Sequence, residues 1–145
     1  MLWAMKLSSK GRFSPPPALP EYAQVVSTAL AGWADMHART HWLLGDEQVV
    51  DGADFYVGQE EVGHIHLGGE AHIAVGKKLR KALIASSRAK PFRYSDEFVV
   101  FPIRTSSDVQ AALALFQLAY DRHRGAQEAD LMMRASEPHA LAASP

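Results

Sequence analysis

Residues 63–73 read GHIHLGGEAHI. His64, His66 and His72 fall within nine residues, and Gly68-Gly69 stands between the second and the third. In extended chain, side chains alternate between faces. Ile65 and Leu67 then share one parity and His64 and His66 the other, while Ile73 alternates with His72.

Which way the histidines point depends on the hairpin loop. A three-residue loop, Leu67-Gly68-Gly69, pairs residues whose numbers sum to an even value and puts Ile65 and Ile73 on one buried face. Gly supplies the left-handed residue that such a loop needs. His64 then lies opposite His72, with Cβ atoms roughly 4.5–5.5 Å apart. A two-residue Gly-Gly turn would instead pair Ile65 with His72 and split the histidines between faces. The need to bury both isoleucines favours the first register.

The preceding segment is treated alike. A loop Gly58-Gln59-Glu60 pairs Val57 with Glu61 and Asp54 with His64. Phe55, Val57 and Ile65 then line the core, and Asp54, Tyr56, His64, His66 and His72 share the other face. These five are the candidate ligand contacts. His64, His66 and His72 are candidate ligands for a divalent metal such as zinc, and an imidazole beside the Asp54 carboxylate has the usual arrangement of an oriented base or ligand. The competing reading is the polar half of a half-exposed sheet, with no chemistry at all.

Outward from this stretch, EYAQVVSTALAGWADMHA carries Tyr22, Val25, Val26, Ala29, Leu30 and Trp33 as one helical stripe after Pro20. Residues 47–50 and 54–57 read as short strands punctuated by Gly52 and Gly58; THWLLG at 40–45 fits a strand or a helix exit. KKLRKALIASSRA at 77–89 reads as a helix and FVVFPIR at 98–104 as a strand that lies at an edge or ends at Pro102, which has no N–H. Thr105 to Asp108 supply a helix start, followed by Val109, Ala112, Leu113, Phe116, Ala119 and Tyr120 on one face. The order implies an α+β two-layer sandwich, a mainly antiparallel meander with helices on one face. Residues 1–20, with four prolines in the last six, read as a tail in which Trp3, Met5 and Phe13 are the groups able to dock. Residues 21–124 form the domain, and 125–145 a flexible end.

The 145 residues suffice for one core. A net charge of −1 offers no general field for a polyanion or an anionic membrane. Seven basic residues in 77–93 read as a solvated helix face, without aromatic interleaving, so nucleic acid is not an expected partner. With no cysteine, disulfides, thiolate nucleophiles and Cys-containing zinc sites are excluded. No apolar run is long enough to span a membrane, and the first residues are too broken by Lys6 and Lys10 for a secretory signal, so a cytoplasmic location is expected.

The stretch DGADFYVGQEEVGHIHLGGEAHIAV, then LRKALI, then FVVFPIRTSSDVQAALALFQLAYDR resembles the small bacterial domain family called the luciferase domain, over roughly residues 45–124. Gly58, Glu61, Gly63, His64, His66, Leu79, Arg80, Asp108, Val109, Leu115, Tyr120 and Arg122 carry the resemblance. Members commonly have a tryptophan in the last strand and a histidine after the basic helix. Here Phe98 or Phe101 stands for the aromatic residue, and PFRYS lacks the histidine. The resemblance implies no established reaction beyond interest in His64 and His66. Two functions follow: a module that binds a small molecule or a protein, with a homodimer permitted, or a metal-dependent or acid/base enzyme built on the histidines.

Overall fold

The structure is a computed structural model and describes residues 5–43 and 46–137. Trp3, Leu44 and Gly45 of THWLLG, and residues 138–145 lie outside the described residues. After a short 3-10 turn at Leu7–Ser9 come α1 (Glu21–Ala31), β1 (Met36–Leu43), β2 (Asp46–Val57), β3 (Glu60–His66), β4 (Glu70–Ala74), α2 (Lys77–Ala85), β5 (Lys90–Pro91), β6 (Phe98–Pro102), α3 (Ser106–His123) and α4 (Glu128–Ser136). The strands form one antiparallel sheet in the order β1-β2-β3-β4-β6-β5. This is an α+β fold, as the alternation of patterns implies.

The apolar parity of the strands faces the helices. Phe55, Ile65, Ile73, Val75 and Val99 are buried with Val26 and Leu30 of α1, Leu79 and Leu83 of α2, and Leu115 and Phe116 of α3. Phe116 meets Phe55 edge-on, with ring centroids 6.0 Å apart. Tyr120 packs in the same core and donates its hydroxyl to the Ala34 carbonyl at 2.6 Å. Asp108 caps α3 by accepting from the backbone N–H groups of Arg104 and Thr105 at 2.8 and 2.9 Å, which secures the helix covering β3 and β4.

Several segments differ from expectation. The stretch at 40–43 is strand, and α1 stops at Ala31, so β1 takes up residues that a longer helix would have claimed. Gly52 does not end a strand. β2 runs through it for 12 residues, and a Cβ at Gly52 would collide with the Ile65 carbonyl oxygen of β3. Pro102 ends β6, which lies between β4 and the two-residue β5. Residues 128–136 of the expected flexible end form α4, because Leu131 and Ala135 bury against the domain. Residues 5–15 lie against the sheet. Leu7 N–H donates to the Gln59 carbonyl at 2.9 Å and Thr40 N–H to the Ser14 carbonyl at 2.7 Å.

Candidate functional site

The β3–β4 hairpin has the even-sum register. Gly63 pairs with Ile73, His64 with His72 and Ile65 with Ala71. Gly69 takes the left-handed conformation at φ +93, and its N–H donates to the His66 carbonyl at 2.8 Å. Ile65 and Ile73 are buried, and all three histidines lie on the opposite face.

The β2–β3 hairpin keeps Asp54 opposite His64, but Val57 pairs with Glu60 and Tyr56 with Glu61. The expected Val57–Glu61 pair is therefore corrected. Gly58 and Gln59 make a two-residue turn, and a bulge between the Phe55 and Tyr56 pairings absorbs the extra residue, Val62. The bulge changes the parity of everything before it. Val62 enters the core, and Glu61 joins the histidine face, with its Oε2 2.6 Å from His64 Nδ1.

β1 contributes a fourth imidazole. Arg39 stands opposite Asp54, and His41 shares its parity. The His41 ring stacks on His64 at 4.1 Å with planes 7° apart. His66 meets His41 and His64 edge-on at 5.3 and 4.9 Å. His72 lies 5.0 Å from His64 and 4.5 Å from His66, and Phe92 packs on its other side at 4.6 Å.

Each imidazole has one nitrogen against a carboxylate. His41 Nδ1 is 2.7 Å from Asp54 Oδ1, His64 Nδ1 2.6 Å from Glu61 Oε2, His66 Nδ1 3.0 Å from Asp51 Oδ2, and His72 Nε2 2.8 Å from Glu70 Oε1. A carboxylate partner orients the ring and leaves the second nitrogen for another task; in His41 that second nitrogen, Nε2, lies 3.5 Å from Asp51 Oδ2. One ligand atom from each of His41, His64 and His66 lies within 4.8 Å of the other two, and the same holds for Asp54, Glu61 and His64. His72 joins the cluster by ring contact.

The face is not an open polar wall. Asp54 and Tyr56 are fully buried, and Glu61 and His72 nearly so. Burial raises the pKa of Glu61 above the usual carboxyl range, against the pull of His41. Burial also holds His64 well below the ordinary imidazole value, with His41 adding to the effect, and lowers His66, with His72 adding to it. Burial thus favours the neutral forms of Glu61, His64 and His66. Tyr56 is raised by burial and then by the Glu61 and Asp54 charges, so it stays a phenol; among the described residues its hydroxyl has no partner. Lys10 from the N-terminal segment supplies the compensating cation, ion-paired with Asp54 Oδ2 and 3.2 Å from His41 Nδ1.

Residues 59–119 match the family model of the luciferase domain. The family is the one that the G-H-x-H stretch and the last strand and helix pointed to. The luciferase domain match takes in β3, β4 and most of α3, and with them Glu61, His64, His66, Glu70 and His72. Lys10, His41, Asp51, Asp54 and Tyr56 precede it. No curated protein and no solved structure matches the chain. Among the described residues no helix is long and apolar enough to cross a membrane.

Sequence reasoning placed Asp54, Tyr56, His64, His66 and His72 on one face, and the structure brings them together there. It missed His41, Glu61, Asp51, Glu70 and Lys10. His41 lay in a stretch left open between strand and helix, although parity with Arg39 would have found it once a strand was chosen. Glu61 was hidden by the bulge, and Lys10 sits in a segment with no periodic signal.

Proposed function

We propose that the chain is a small binding module whose ligand is a divalent transition-metal ion of the zinc type. The observation that carries this is the clustering of His41, His64 and His66, with a ligand atom of each within 4.8 Å of the other two and each Nδ1 against a carboxylate. Neutral imidazoles are the protonation state that a metal requires, and burial favours that state for His64 and His66. Three imidazoles leave a fourth position open on a tetrahedral ion, and His72 is the nearest further imidazole. Asp54 and Glu61 balance the charge of the ion.

A second reading has its own observation. Glu61 Oε2 and His64 Nδ1 lie 2.6 Å apart at the buried end of the cluster, an arrangement suited to general acid/base work on a bound small molecule.

Elemental analysis and zinc titration of the purified chain separate the two. The metal reading expects one ion per chain, abolished by His64→Ala or His41→Ala and untouched by His37→Ala, whose ring is exposed on the same strand. His72→Ala should weaken binding by about tenfold, the size of an outer partner's effect. No stoichiometric ion, with melting unchanged by zinc, would remove the metal reading and leave the acid/base one.

A further inference from the structure

The N-terminal segment holds the two carboxylates that would balance the charge of a bound ion. Lys10 is 8% exposed, and its ammonium group pairs with Asp54. Five residues earlier, the Met5 N–H donates to Glu61 Oε1 at 3.3 Å. One short strap therefore holds both acids of the Asp54, Glu61 and His64 set.

We infer that Lys10 is the resident cation of the cluster and that the strap carrying it gives way when a divalent ion enters. This rests on the metal reading above. Three further observations support it. First, a lysine ammonium and a divalent ion repel each other at this range, and the repulsion is strong where water is excluded. Second, His41 and His64 stack nearly parallel, so their in-plane lone pairs run side by side. One ring must turn before both can reach a common ion. Turning His41 gives up its contact with Lys10.

Third, the strap is attached by polar contacts. The Arg39 guanidinium donates to the Gly11 carbonyl at 3.0 Å, the Trp42 indole to the Arg12 carbonyl at 3.0 Å, and the Thr40 hydroxyl to the Pro15 carbonyl at 2.6 Å. Of its large apolar residues, Met5 and Phe13 are exposed and Leu7 is half-buried. Such a segment can open locally without unfolding the domain, provided the entering ion replaces the charge that Asp54 loses with Lys10. The same contacts reverse when the ion leaves, with the ammonium restoring the charge balance of Asp54.

Hydrogen exchange of the full chain, read by mass spectrometry with and without zinc, tests this. Peptides covering residues 5–15 should exchange several-fold faster with zinc bound, while α3 keeps its protection. Lys10→Met should bind zinc about tenfold more tightly, because the repelling charge is gone, and Lys10→Arg should bind as the parent does. One zinc per chain with strap protection unchanged or increased would overturn the coupling and leave the metal reading standing. Unchanged affinity in a folded Lys10→Met would do the same. Absence of zinc uptake overturns both. Should Lys10→Met fail to fold, hydrogen exchange on the unaltered chain decides.

Discussion

The two faces of the sheet are made from alternate residues of the same strands and are governed by different physics. On the helix side, Phe55, Ile65, Ile73 and Val99 meet apolar side chains and need nothing but shape. On the other side, Asp54, Glu61, His64 and His72 are also withdrawn from water, yet each needs a specific partner. Burial of apolar groups is non-directional and forgiving of small shifts. Burial of charges is tolerated only when pairs and hydrogen bonds meet. The helix side therefore holds the fold, and the histidine side holds a set of groups whose protonation and partners can change.

The largest expected effect lies on the helix side. Phe116→Ala empties the position that packs on Phe55 and should cost about 3–5 kcal/mol in denaturant unfolding. The comparison breaks if this change costs less than truncations on the histidine face. Gly52→Ala comes next. It sets a methyl group against the Ile65 carbonyl where β2 pairs with β3, and a loss of about 1–3 kcal/mol is expected. A neutral result would mean that β2 does not run continuously through residue 52.

The histidine side should reveal itself through pH. His64 and His66 have lowered pKa values, from burial first. Their contribution to stability is whole above the ordinary value of 6.5 and is lost as pH falls toward the lowered values. Glu61 is raised by burial, so its contribution is whole below 4.5 and declines as pH rises. Between those limits the two act in opposition, and the pH dependence of Tm reads which of them prevails. The Tm of the metal-free chain should fall as pH drops below about 6.5, and His64→Gln should make the decline shallower. A Tm that rises on acidification would show that the imidazoles are charged in the fold.

The two faces were also unequally legible in the sequence. The helix side follows from periodicity, because a core accepts any apolar residue of the right parity. That suffices to find the His64–His72 pair, since burying Ile65 and Ile73 together admits only one register. Periodicity carries a hidden assumption that no strand has an extra residue. The bulge at Val62 breaks it, and Glu61 crosses to the histidine face without leaving a mark in the pattern. The partners of a buried charge come from distant segments. Lys10 reaches Asp54 across 44 positions (54 − 10) through contacts that no local propensity encodes.

The smallest effect gives the sharpest test of how the polar face is satisfied. The Tyr56 hydroxyl is buried, faces the Asp54 and Glu61 charges and has no partner among the described residues. A hydrogen-bonded hydroxyl contributes about 1 kcal/mol, whereas a desolvated and unpaired one contributes nothing or detracts. Tyr56→Phe keeps the ring and removes only the oxygen, so unfolding stability should stay within about 0.5 kcal/mol of the parent or rise. A loss of more than about 1 kcal/mol would show that a water or a neighbouring carboxylate takes that proton in solution. One more buried group of the polar face would then be paired, leaving Arg39 Nε as its remaining buried nitrogen without a partner among the described residues.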